Sequence, residues 1–144
     1  MRPMIALPAG AAALAVLLAF ASPTYAETVK FKADLKGSSE VPPNQSAGTG
    51  SVTATYDTAT KLFSWKGSYS GLSGPAMAAH FHGPAPAGQN GGVALAIKPV
   101  TSPFEGSATL TDAQANDLMA GNWYVNVHTD ANKGGELRGQ LGKM

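Results

Sequence analysis

Three histidines are the whole histidine content of this 144-residue chain. Two of them, His80 and His82, flank Phe81 in Ala79-His80-Phe81-His82-Gly83-Pro84, and the third, His128, ends Trp123-Tyr124-Val125-Asn126-Val127-His128. Both segments carry the alternation of β-strands, in which residues two apart share a face. His80 and His82 therefore point away from Phe81, and His128 points away from Val127, Val125 and Trp123. All three imidazoles are expected outside the apolar interior. At a rise of about 3.3 Å per residue, the paired histidines stand about 7 Å apart along their strand. From there two rings can lean onto one ion, and a third donor must come from another segment. Three neutral imidazoles with an open position suit copper or zinc, whereas a hard-ion site would show clustered carboxylates. The competing reading is that these are ordinary surface histidines. A His-x-His pair alone is a modest signal, and its weight here comes from the absence of any other histidine.

The neighbours of His128 extend the pattern. In the last segment Leu137, Gly139 and Leu141 face one way, and Glu136, Arg138 and Gln140 the other. The polar set must share the sheet face of Tyr124, Asn126 and His128, because a one-residue slip would bury three polar side chains. A five-residue turn then sets His128 opposite Glu136 and Asn126 opposite Arg138, about 5 Å apart at Cβ. Glu136 is expected to accept the proton of the non-ligating nitrogen of His128 and so fix its tautomer. Arg138 would add positive charge near an open metal position. Glu136, Asn126 and Arg138 thus form an expected outer shell; the alternative is that Glu136 and Arg138 are surface residues in a weak ion pair.

Positioning these residues requires a β-rich scaffold. Thr28 to Lys36 alternates, with Val29, Phe31, Ala33 and Leu35 on one face. Pro42, Pro43, Asn44 and flanking glycines make Gly37 to Gly50 a loop. Asn44-Gln45-Ser46 is a formal glycosylation sequon, read here only as loop composition. Ser51 to Tyr56 and Leu62 to Tyr69 read as a hairpin about Asp57 to Lys61. The His-x-His strand follows, then the Gly83–Gly92 loop. Val93 to Ile97, Phe104 to Leu110, Asn122 to Thr129 and Gly135 to Leu141 complete the strands. One short helix is expected between Thr111 and Gly121, with Thr111 and Gln114 as a capping box. The expected fold is all-β: a Greek-key β-sandwich or barrel of about eight antiparallel strands with one short helix.

Arg2, an apolar run from Ile5 to Phe20 and the small-residue site Thr24-Tyr25-Ala26 resemble an export signal cleaved after Ala26. Residues 1–26 are therefore expected to be a signal peptide and residues 27–144 one domain, periplasmic or secreted. A membrane anchor is the weaker reading, because the run is short and interrupted by Pro8 and Gly10. Loss of Arg2 leaves 9 basic and 9 acidic residues, which argues against nucleic acid or an anionic membrane as partner. No cysteine is present, so thiolate zinc, blue-copper and iron–sulfur sites are excluded. No Gly-x-Ser-x-Gly elbow occurs, and Gly88-Gln89-Asn90-Gly91-Gly92 lacks the strand–loop–helix setting of a phosphate cradle.

Ala79-His80-Phe81-His82-Gly83-Pro84-Ala85, Leu110-Thr111-Asp112-Ala113-Gln114, the Gly121–Thr129 run and Gly134-Gly135-Glu136-Leu137-Arg138-Gly139-Gln140-Leu141 together resemble the CHRD domain, named from chordin. The resemblance covers nearly all of residues 27–144 and implies a sandwich distantly similar to that of Cu,Zn superoxide dismutase. On that likeness His80 and His82 resemble paired copper ligands, and His128 a late copper ligand. A bridging fourth histidine, a zinc-binding histidine cluster and the disulfide cysteines of that enzyme are missing. The expected function is copper binding or handling through His80, His82 and His128, with zinc as the alternative ion. Two other readings are a binding or adhesion module without metal, and an enzyme, either a dismutase-like oxidoreductase or a zinc–water hydrolase. The sequence assigns no catalytic residue.

Overall fold

The computed structural model describes residues 25–144, so the expected signal peptide lies, but for its last two positions, outside the described residues. The chain runs β1 (Thr28–Lys36), a 3-10 turn (Gly37–Ser39), β2 (Thr49–Asp57), β3 (Leu62–Ser70), β4 (Ala76–His82), β5 (Val93–Ala96), β6 (Phe104–Thr109), α1 (Asp112–Met119), β7 (Tyr124–Thr129), β8 (Leu137–Gln140) and β9 (Gly142–Lys143). The first strands form as their alternation dictates: Phe31, Ala33 and Leu35 of β1, Val52, Ala54 and Tyr56 of β2, and Phe63 and Trp65 of β3 are all buried. Asp57 tightens the β2–β3 turn by accepting from the N–H groups of Ala59 and Thr60, a side-chain mimic of a backbone turn. Thr111 and Gln114 make the expected reciprocal capping box, and Gly121 leaves the helix at φ +80°, where a glycine has no steric penalty.

Every strand pair is antiparallel, in the order β5-β4-β7-β8-β1-β2-β3-β6, with β9 added beside β1. Four strands separate β4 from β3 in that order. Nevertheless the ring of Phe81 on β4 lies 5.2 Å from Phe63 and 5.1 Å from Trp65 on β3, in edge-on contacts. The sheet is therefore curled into a half-barrel around an aromatic core. Each such pair contributes about 0.5–1.5 kcal/mol beyond the area it buries. Among the described residues the expected all-β architecture, with eight main strands and one short α-helix, is the one observed. The last strand differs in detail: it breaks at Leu141, and Gly142 and Lys143 leave β8 to pair with β1.

The outer face of β4, β7 and β8, which carries the polar residues, is not open to solvent. The loop of residues 37–48 and the loop of residues 83–92 cover it. Asn44 Nδ2 donates to the carbonyls of Gly135 and Glu136, and Asn44 Oδ1 accepts from the Ser46 N–H. The sequon asparagine is thus a pin between the first loop and the β7–β8 turn. Arg138 donates to the Gln89 and Pro86 carbonyls and to Asn90 Oδ1, and Gln140 donates to the Ala85 and Gly121 carbonyls. The domain therefore has a second, polar layer beneath its loops.

Candidate metal centre

The sheet brings the three histidines together. His80 and His82 project from β4 on the side opposite Phe81, and β7 pairs with β4 so that His128 faces Ala78 and Asn126 faces His80. One ligand nitrogen from each ring lies within 4.8 Å of the others. His80 Nδ1 and His128 Nε2 are 3.1 Å apart. Two nitrogens held about 2.0–2.1 Å from one tetrahedral ion would stand about 3.3 Å apart, and could not exceed about 4.1 Å. The widest separation exceeds that span, so the rings must turn inward to share one ion; the three-histidine group could hold a metal ion. His82 is buried, while His80 and His128 are half-buried; the site is a recess beneath a loop rather than the open surface expected from alternation alone.

Backbone carbonyls set the tautomers. His128 Nδ1 lies 2.8 Å from the Lys133 carbonyl, and His82 Nδ1 lies 3.0 Å from the Gly91 carbonyl. A carbonyl can only accept, so each ring carries its proton on Nδ1 and presents Nε2 as a lone pair. His80 Nδ1 then donates to His128 Nε2 when no cation is held. A cation drawing on that nitrogen would require the proton to move to the other side of the His80 ring. Burial holds the His80 pKa below its ordinary value, assisted by the charges of His128, His82 and Lys98. Burial likewise lowers His82, against the opposing influence of the Gly91 carbonyl and the nearby Asn126 amide. Both effects favour neutral, ligand-competent imidazoles.

The expected outer shell is rearranged. The register Asn126↔Arg138 is the one expected, but the bond from His128 to Glu136 is not formed. Glu136 N–H donates to the Val127 carbonyl, although Val127 already faces Leu137 in the ladder. Two successive residues therefore oppose one, as in a β-bulge, and alternation fails at Glu136. Its carboxylate accepts instead from Ser46 Oγ, the Ser73 N–H and Ser73 Oγ. Burial works to raise the Glu136 pKa, but hydrogen bonds from Ser46, Ser73 and Thr129 outweigh it and hold the group below the usual range. Lys133 supplies the contact to His128 that Glu136 was expected to make.

Arg138 also departs from expectation. It is 1 % exposed, so it is no surface residue, and it does not face an open metal position. Its guanidinium sits 3.5 Å above the centre of the Tyr124 ring, and the other face of that ring stacks parallel on His82 at 4.8 Å. Tyr124 thus separates the arginine from the histidines and fixes the plane of His82. Gly91 exchanges hydrogen bonds with the Tyr124 hydroxyl, so the same loop residue orients both rings. Tyr124 was legible as a neighbour, since it shares the face of Asn126 and His128.

Glu40 had no sequence signal. It follows the 3-10 turn, is buried beside Arg138 and Asn126, and has its pKa raised from 4.5 to about 7, first by burial, against the lowering effects of Arg138, Asn126 and the Val41 backbone. Gly135, at φ +130°, makes room for it: a Cβ there would stand 2.3 Å from Glu40 Oε1 and 2.7 Å from Asn126 Nδ2.

The family model for the CHRD domain matches residues 31–141. No curated protein and no solved structure matches the chain.

Proposed function

The chain belongs to the CHRD domain family, and we propose that it is an exported domain that binds a copper ion through His80, His82 and His128 in order to store, buffer or deliver it. The observation that carries this reading is the convergence of three ring nitrogens from two strands to within 4.8 Å. Two of those rings are fixed by the Gly91 and Lys133 carbonyls with Nε2 unprotonated, the outer-shell arrangement that raises the basicity of metal-ligating histidines. Imidazole donors without carboxylate suit copper, with zinc as the competing ion. The apolar Ile5–Phe20 run and the cysteine-free composition support export to the periplasm or beyond, where copper reaches a protein without thiol competitors on the same chain.

The test is metal uptake by the chain lacking its first 26 residues. It is expected to take up one equivalent of Cu2+ or Zn2+ per chain, and His80→Ala combined with His128→Ala is expected to abolish that uptake. Absence of binding in the parent protein, or full binding in the double variant, overturns the proposal. Copper retained in preference to zinc in direct competition assigns the ion; the reverse order makes this a zinc protein.

A further inference from the structure

The histidines do not account for all the unsatisfied atoms at this centre. Asn126 Oδ1, Glu40 Oε1 and His82 Nε2 are all buried and have no hydrogen-bond partner among the described residues. Buried polar atoms are almost always satisfied, so each such atom calls for a physical explanation. Asn126 is 3 % exposed. It lies opposite His80 across the β4–β7 ladder and, by alternation, on the same face of β7 as His128. Its amide lies against His82 on one side and Glu40 on the other.

The hydrogen-bonding chemistry fixes which way that amide points. The Glu40 carboxyl keeps an accepting oxygen whether or not it carries a proton, and Asn126 Nδ2 and Glu40 Oε1 crowd the same point above Gly135. The NH2 group therefore faces Glu40, and the carbonyl oxygen is left toward the histidines. In the neutral form that ligates a metal, His82 has one ring proton, and the Gly91 carbonyl takes it at Nδ1. Its Nε2 is then a second bare acceptor beside Asn126 Oδ1. Two lone pairs cannot satisfy one another, but a cation satisfies both.

We propose that Asn126 Oδ1 is a fourth donor to the cation held by His80, His82 and His128, and that Glu40 is the positioning residue that turns the amide to present it. The inference rests on the reading of the three histidines as metal ligands. A neutral amide oxygen is a harder donor than a thiolate or thioether, so three imidazoles and one amide oxygen select Cu2+ or Zn2+ over Cu+. The oxygen also occupies a position that a water molecule would otherwise take.

The experiment uses the chain lacking residues 1–26, titrated with Cu2+ and with Zn2+. Exchangeable water on the bound Cu2+ is counted by pulsed magnetic resonance in H2O and D2O. Asn126→Leu is expected to weaken binding by about tenfold or more, in the range that loss of a metal-site partner produces, and to add one exchangeable water. Asn126→Asp, which keeps the shape and adds charge, is expected to bind tighter with no added water. Glu40→Ala is expected to weaken binding in the parent but to have no effect in the Asn126→Leu background, because Glu40 acts through the amide. Unchanged affinity and water count in Asn126→Leu overturn the proposal while leaving the three-histidine reading in place. Should Asn126→Leu fail to fold, an affinity for Asn126→Asp equal to the parent's has the same force. A parent protein that binds neither ion overturns both.

Discussion

Replacing Glu40 by Gln should remove a specific pH dependence of folding. Glu40 is 5 % exposed and forms no ion pair with Arg138 among the described residues, whose ion pairs are Lys32–Asp34 and Lys61–Asp112. Burial raises its pKa from 4.5 to about 7. Below pH 4.5 the carboxyl is protonated in both the folded and the unfolded chain. Between 4.5 and 7 the unfolded chain ionises while the folded one keeps its proton. The unfolded state then binds fewer protons, so stability falls as pH rises through this window, and the loss is complete above it. At about 1.36 kcal/mol per pKa unit the full shift corresponds to roughly 3 kcal/mol; screening by residual solvent access reduces this to roughly 2 kcal/mol. The assay is urea unfolding of the metal-free protein, with chelator, from pH 4.5 to 8.5. Histidine titrations occur in both proteins and cancel in the difference. Glu40→Gln should gain roughly 2 kcal/mol on the parent between the two ends of that range. Parallel stability curves would refute the reasoning, since they would mean that the carboxyl is solvated or already ionised in the folded state.

Two further outcomes follow from the same contacts. Burial, together with neighbouring positive charge, holds His80 and His82 below the ordinary 6.5, so protons compete less for these rings than for free histidine. A bound cation should be retained as pH falls through 6.5 and released only at more acid values; a release midpoint at or above about 6.5, measured by equilibrium dialysis, contradicts the buried geometry. Glu136→Ala strips the acceptors from Ser46 Oγ, the Ser73 N–H and Ser73 Oγ, which should cost about 2–4 kcal/mol and expose residues 37–48 to protease. Thermal denaturation and limited proteolysis check both effects, and an unchanged digestion rate would show that Asn44 alone holds the loop.

The amino-acid order by itself determined what depends on short separations. Two-residue alternation put His80 and His82 opposite Phe81 and set the aromatic core apart from the histidines. A tight hairpin, with one face that must stay buried, fixed Asn126 opposite Arg138. Thr111 and Gln114 announced the helix start because a capping box is complete within four residues. The motifs quoted at His80–His82, Gly121–Thr129 and Gly134–Leu141 carried the family. What surrounds the metal centre was decided only by tertiary structure. Asn44 and Ser46 reach residues 135 and 136 across about 90 positions, and no local pattern encodes a contact at that distance. Those loop contacts turned a solvent-facing sheet surface into a covered polar layer. A bulge that lets Val127 face both Glu136 and Leu137 sent the carboxylate away from His128, because one extra residue reverses the side to which a strand presents everything beyond it. Burial of Glu40, and with it the direction of the Asn126 amide, needed the curled sheet, the loop and the left-handed Gly135 at one place: alternation gives each side chain a face, but only the assembled fold gives that face its neighbours.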